Sequence, residues 1–192
     1  MKSEIVAVGM ARTPIGSFGG SLRDEVVYDL GAISMRAALE RASLEGAQVD
    51  QVIYGNCRQA GNAINPARTA SVKAGIPVHV PAVTINMACP SGMKTVMMAS
   101  HELTSGSSKV VMTGGMESMS TMPYLLKGAR WEGFKMGDKT LMDGWSDTID
   151  PLCGYGMGMT AENQVEQHQI SRADQDEFAA DSHRKAADAQ GA

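Results

Sequence analysis

A cysteine stands where an apolar, β-branched run gives way to small residues: Val83-Thr84-Ile85-Asn86-Met87-Ala88-Cys89-Pro90-Ser91-Gly92-Met93-Lys94. The pattern predicts a strand running into Cys89 and a helix opening at Ser91. The first turn of a helix carries unpaired N–H groups and partial positive charge, and both favour the negative charge of a cysteine nucleophile. The Cys89 N–H is placed to point at an acyl oxygen, as one donor of an oxyanion hole. Ser91 and Gly92 leave room for a substrate to approach. Position alone does not decide for chemistry, because a lone cysteine between a strand and a helix is more often a small buried hydrophobe. The other two cysteines, Cys57 and Cys153, form no CxxC pair with each other or with Cys89. That argues against a disulfide framework and fits a reduced, cytoplasmic setting. His79, His101, His168 and His183 are scattered without paired ligand spacing, so no metal site is expected.

The elements that must position Cys89 follow from periodicity. Glu4 to Ala11 reads as a short strand ending at the Thr13-Pro14 turn, and Ser17 to Ser21 as a Gly-rich loop without the phosphate-loop pattern. Val26 to Ala42 has helical character, with Val26, Leu30, Ile33, Ala37 and Leu44 marking the apolar face and Arg36, Glu40 and Arg41 toward water. Val49 to Gly55 is a second strand. Asn65-Pro66 starts a helix, Asn as cap and Pro at the first helical position, that ends near Gly75. Ala82 to Ala88, Ser91 to Leu103 and Lys109 to Thr113 read as strand, helix and strand. This alternation implies an α/β layered sheet. Residues 119–156 are rich in Gly and Pro and lack periodicity, and regular structure returns near Thr160. Ser171 with Asp174 caps a last helix whose apolar stripe is Phe178, Ala179 and Ala186, with Gly191 as its stop.

Composition sets the bounds. The chain has 192 residues, 43% apolar and 20% charged, which is globular and not disordered in character. A net charge of −4 gives no reason to expect nucleic acid or an anionic membrane as a partner. No stretch approaches the length of a membrane span, and the first residues lack the pattern of a signal peptide. Methionine is abundant, at 15 residues, and suits either core filling or an adaptable apolar tunnel.

The run Asn-x-x-Cys-x-Ser-Gly-Met-Lys at 86–94 resembles the acyl-enzyme signature of the thiolases. Further segments agree in order along nearly the whole chain. They are Arg12-Thr13-Pro14-Ile15-Gly16, Gly55-Asn56-Cys57-Arg58-Gln59-Ala60-Gly61 with Asn65-Pro66-Ala67-Arg68, and Gly114-Gly115-Met116-Glu117-Ser118-Met119-Ser120. Met157-Gly158-Met159-Thr160-Ala161-Glu162-Asn163 and Ile170-Ser171-Arg172 with Gln175-Asp176 and Ser182-His183 follow. The resemblance implies a layered thiolase-like fold, with residues 1–117 as the N-terminal half of the core and 118–192 as part of a loop domain that covers the site and binds coenzyme A. It implies Cys89 as the residue that takes an acyl group as a thioester. A second acyl-CoA then loses a proton at its α-carbon and attacks, so that two acetyl-CoA give acetoacetyl-CoA and CoA, or the reverse. Acyl-CoA and CoA are substrates, and no separate cofactor is implied. A homodimer or homotetramer is implied for the full-length protein, and Cys57 lies in a segment resembling the dimer-contact loop.

Met157, in Tyr155-Gly156-Met157-Gly158, matches a methionine that borders the acyl pocket in the family, and serves equally as a core residue at a helix start. Gly156 replaces the usual His and Pro90 the usual Ala or Gly. Lys127, Arg130 and Lys135 suit CoA phosphates or a solvated basic face. The family's distal motifs, a His in Asn-Glu-Ala-Phe, a His that helps activate the nucleophile and a Cys in Cys-x-Gly-Gly-Gly, do not occur in these residues. The resemblance is therefore to the N-terminal portion of a longer chain, and the 192 residues alone are expected to lack turnover. A ketoacyl-synthase-like condensing enzyme, or a non-catalytic assembly module, are the competing readings.

Overall fold

In the computed structural model, which describes residues 4–145 and 149–191, three of the apolar runs pair into one parallel sheet. Strand β1 (Gln51–Gly55) is central, with β2 (Ala82–Ile85) on one side and β3 (Val111–Gly115) on the other. Ile53 stands opposite Val83 and Thr113, and Gly55 opposite Ile85 and Gly115, so all three strands end at the same edge. The connections are helical, as parallel pairing requires. Helix α1 (Val27–Ala42) precedes β1, α2 (Pro66–Lys73) links β1 to β2, and α3 (Ser91–Ser105) links β2 to β3.

Side chains alternate across β1 and sort the helices into layers. Val52 and Tyr54 join a core with Val27, Met35 and Leu39 of α1, Ala67 and Ala70 of α2, and Ile76, Val80 and Met116. Ile53 and Gly55 point to the other face, where a side chain on Gly55 would meet Ser91 and Gly92 at the start of α3. Both faces of the central strand are thus covered, and the layered α/β expectation is borne out. Met35 and Ile53 are completely buried, and each contributes about 2 kcal/mol of apolar transfer.

The local signals for α2 hold. Asn65 caps it by accepting the Arg68 N–H at 3.0 Å, and Pro66 is its first residue. Asn65 also accepts the Thr84 hydroxyl at 2.6 Å and donates to Ala82 O at 2.9 Å, which fastens the helix start to β2. The capping pair Ser171 and Asp174 likewise opens a helix at Arg172.

Several expectations need correction. Residues 4–11 form no strand: Ile5, Val6, Val8 and Met10 are exposed, and the segment runs along α1, where Gly9 lies against Ala38 and Ala42 and Arg41 donates to Met10 O at 2.6 Å. β propensity becomes a strand only with a partner edge and a face to bury, and this segment gains neither among the described residues. The buried stripe of α1 is Val27, Gly31, Met35 and Leu39, while Ile33 is exposed. A side chain on Gly31 would come within 3.2 Å of Ala70, so this face lets α2 approach closely at that position. β2 stops at Ile85 because Asn86 to Ala88 leave the ladder for a turn, and β3 lies slightly later than its periodicity predicts.

Residues 119–156 are mostly irregular, as expected. They hold the short antiparallel pair β4 (Tyr124–Leu125) and β5 (Met142–Asp143) and the four-residue α4 (Ala129–Glu132). The chain divides into two compact units, the first reaching Gly144 and the second starting at Trp145. The second unit contains α5 (Met157–His168) and α6 (Arg172–Gln190). The Ser171 hydroxyl accepts the Asp174 N–H while the Asp174 carboxylate accepts the Ser171 N–H, which is the expected capping box. The expected apolar stripe of α6 is not buried, and Phe178 is exposed. No helix among the described residues is long and apolar enough to cross a membrane.

Candidate active site

The turn that carries Cys89 is held by side chains on both sides of it. Ser91 is buried, its hydroxyl donates to Ala88 O at 2.6 Å, and it accepts the Met87 N–H at 2.8 Å. Asn86 accepts the Ala88 N–H at 3.0 Å and donates to Cys57 O at 2.9 Å. Between these clamps Ala88 adopts a left-handed backbone, φ +55°, which costs a non-glycine residue about 1 kcal/mol. The bonds to Asn86 and Ser91 offset that cost. Their result is a sharp reversal that leaves Cys89 exposed and unbonded to sulfur, immediately before α3. The Ser91 hydroxyl is consumed in building the turn.

The Cys89 N–H donates to no acceptor among the described residues. The fold therefore does not consume this donor. Pro90 is the cap residue of α3 and not its first helical residue, and its lack of an N–H removes a donor that the helix start would leave unpaired anyway.

The start of α3 is fixed against the sheet at close range. A Cβ on Gly55 would lie 2.9 Å from Gly92 N and from the Ser91 carbonyl carbon, so only glycine admits the helix at this depth. Thr95, fully buried, donates to Gly92 O at 2.7 Å and accepts the Gly114 N–H at 3.2 Å, which ties the first turns of α3 to β3. Cys89 therefore sits at the carboxyl edge of the parallel strands, where α/β proteins place their sites.

A carboxylate lies at the same edge. Glu117, half-buried just past β3, accepts the Cys57 N–H on Oε2 at 2.9 Å, and on Oε1 the Arg58 N–H at 3.2 Å and the Asn56 amide at 2.9 Å. Burial pushes its carboxyl above the ordinary range, against the opposing pull of those hydrogen bonds and of the Arg58 charge. Asn56 is almost wholly buried; its Nδ2 also donates to Met116 O at 3.2 Å, while its Oδ1 has no partner among the described residues. An unpaired buried acceptor costs about 1–3 kcal/mol, so this amide is oriented by its donors, both of which meet acceptors. Burial and then the Glu117 charge push the Cys57 thiol up, with Cys89 adding in the same direction and Arg58 opposing. Cys153, in the second unit, is exposed and its thiol points to Tyr155 O at 3.5 Å.

Met157 is the first residue of α5, in the second unit, and is exposed. Lys127, Arg130 and Lys135 are exposed. No His, Cys, Asp and Glu cluster among the described residues could hold a metal ion. Sequence reasoning missed Glu117 and Asn56 as individual residues, since their partners lie about sixty positions away, and gave Asn86 and Ser91 no role in shaping the turn. The last pair had a local signal, because Asn and Ser flanking a turn bond to backbone two to four residues away.

A parallel α/β sheet whose carboxyl edge delivers an exposed cysteine to a helix start defines the class of protein. The chain belongs to the thiolase family: residues 5–192 match the thiolase N-terminal domain. It is 47% identical over 190 residues to a probable acetyl-CoA acyltransferase of Staphylococcus epidermidis, covering 98% of this chain and 48% of that protein. It is 46% identical over 192 residues to the acetyl-CoA acetyltransferase of Cupriavidus necator, again 98% and 48%. The crystal structure of the Bacillus anthracis acetyl-CoA acetyltransferase superimposes with a TM-score of 0.91 at 41% identity, over 97% of this chain and 47% of that one. The chain thus spans about half the length of the relatives it matches, and the match is to their thiolase N-terminal domain.

Proposed function

We propose that this chain supplies the nucleophile of an acyl-CoA acyltransferase that joins two acetyl-CoA into acetoacetyl-CoA and CoA, or cleaves in reverse. The observation that supports this reading is an exposed Cys89 at the start of α3 whose own N–H is uncommitted. The Cys89 sulfur attacks the thioester carbonyl, and the Cys89 N–H is one donor to the resulting oxyanion. Collapse expels CoA thiolate, which takes up a proton, and leaves acetyl on Cys89. The α-carbanion of a second acetyl-CoA then attacks that thioester and Cys89 departs as thiolate. Met157 serves as a wall of the acyl pocket, and residues 118–192 as part of a CoA-covering domain. The exposed Lys127, Arg130 and Lys135 are not assigned to it. A cytoplasmic homodimer or homotetramer is the corresponding setting. The acid–base groups that remove the α-proton belong, by the family's motifs, to a part of the fold outside these residues.

Incubation with acetyl-CoA followed by intact-mass measurement tests the reading. One acetyl adduct is expected, absent in Cys89→Ala and retained in Cys57→Ala and Cys153→Ala. Failure of the folded protein to acquire an adduct, with fold checked by circular dichroism, sinks it and favours an assembly module. The 192-residue polypeptide alone is expected to show no thiolysis of acetoacetyl-CoA, since it carries the nucleophile without the partner base; robust Cys89-dependent turnover would overturn that division of labour.

A further inference from the structure

We propose that Glu117 is a positioning residue for Cys89, acting through the Cys57–Arg58 peptide and the Asn86 amide on the left-handed turn at Ala88. The inference rests on Cys89 being the acyl carrier, as read above, but its geometry stands without it. The peptide joining Cys57 to Arg58 is gripped at both ends: its N–H donates to Glu117 Oε1 at 3.2 Å and its C=O accepts from Asn86 Nδ2 at 2.9 Å. The same Asn86 amide then accepts the Ala88 N–H at 3.0 Å, one residue before the cysteine. Hydrogen bonds in series across one peptide polarise each other, so the carboxylate strengthens the hold on Asn86.

Glu117 is itself fixed from both sides. Met116 before it is buried and donates its N–H to Gly55 O at 2.9 Å, and the Ser118 hydroxyl after it donates to Glu25 O at 2.9 Å. The carboxylate is thus presented from a rigid backbone. Its chemistry is also specific, because three donors converge on two acceptor oxygens. A glutamine would turn an NH2 group either onto the Cys57 N–H or onto the Asn56 amide and the Arg58 N–H. A residue that only filled space would tolerate the amide, whereas a residue that anchors a chain of donors does not.

Two measurements on the intact protein test this in Glu117→Gln, Asn86→Ala and the double variant. The first is the rate of Cys89 acetylation by acetyl-CoA against its alkylation by iodoacetamide, resolved by peptide mass. Acetylation demands an oriented sulfur and is expected to fall about tenfold in each single variant, with iodoacetamide alkylation within about twofold and Cys153 unchanged. Because both residues act along one path, the double variant is expected to be no slower than the slower single. The second is amide exchange at Ala88, which is expected to quicken in Glu117→Gln although the two residues do not touch. Acetylation at the wild-type rate in both single variants, multiplicative losses in the double, or unchanged Ala88 exchange overturns the positioning role. Should Glu117→Gln not fold, Asn86→Ala, altered at an exposed side chain, carries the acetylation test, and a wild-type rate there overturns the path. Absence of acetylation in the wild type refutes the acyl-carrier reading instead, and Ala88 exchange still decides whether Glu117 holds the turn.

Discussion

Strands β1 and β3 are stapled at both ends by carboxylates of similar design and opposite circumstance. Where the strands begin, Asp50, just ahead of β1, accepts the Lys109 and Val110 N–H groups at 2.7 and 2.9 Å just ahead of β3. Where they end, Glu117, just past β3, accepts the Cys57 and Arg58 N–H groups just past β1. Asp50 is in open solvent, and its bonds to two backbone N–H groups hold its carboxyl below the ordinary range. Glu117 has the same kind of donors and a third from Asn56, yet burial outweighs them and its carboxyl is raised. Similar hydrogen bonds thus pull both carboxyls down, and only at Glu117 does desolvation outweigh that pull and reverse the net shift. The exposed staple is a stability device. The buried one lies at the edge that carries Cys89, where a charge held against its own desolvation fits a site and not merely a ladder end.

The contrast is broken most severely at the carboxyl edge. Gly55→Ala places a Cβ against the backbone of Ser91 and Gly92, and is expected to cost about 2–3 kcal/mol by overpacking while displacing Cys89. Thermal melts together with the acetyl-adduct assay read both effects, and an unshifted melt would show that α3 can lift without penalty. Glu117→Ala strands three donors that solvent only partly reaches, at about 2 kcal/mol. Asp50→Ala, whose donors are left to water, is expected to lower the melting temperature by clearly less. Equal losses for the two alanine variants would remove burial as the difference between the staples.

The smallest effect is in pH dependence, where the two carboxylates have opposite signs. Glu117, raised in the fold, binds its proton longer in the native state than in the unfolded one. Its contribution is fullest in acid and declines as pH climbs from the ordinary carboxyl value through the raised one. Asp50, lowered in the fold, contributes fully above its ordinary value and loses that contribution as pH falls through the lowered one. Melting curves across acidic to neutral pH for wild type, Glu117→Gln and Asp50→Asn check this. The advantage of wild type over Glu117→Gln should shrink with rising pH, and its advantage over Asp50→Asn should grow. Slopes of the same sign would mean that the two environments are alike.

Much of this architecture was legible locally. The caps at Asn65 and Ser171, the proline start of α2 and the strand–helix junction at Cys89 depend on side chains bonding to backbone a few residues away, so neighbours in sequence suffice. The failures are of two kinds. Residues 4–11 and Phe178 have the pattern of buried elements, but a pattern is realised only where an edge or layer exists to receive it. The buried face of α1 was misread because apolar residues occur on both candidate faces, and the one with Gly31, where α2 approaches closely, is the one buried.

By itself, then, the sequence determined the local grammar: alternating elements, capped helices, and a cysteine following a turn, with the run around it pointing to an acyl carrier. Only the tertiary structure decided what holds that cysteine. Pairing β1 with β3 in parallel brings residues 56–58 beside Glu117 across about sixty positions of chain. Local steric and hydrogen-bonding rules act over a handful of residues and cannot specify such a meeting; strand order can, because it sets which loops share an edge and which charges there must leave water.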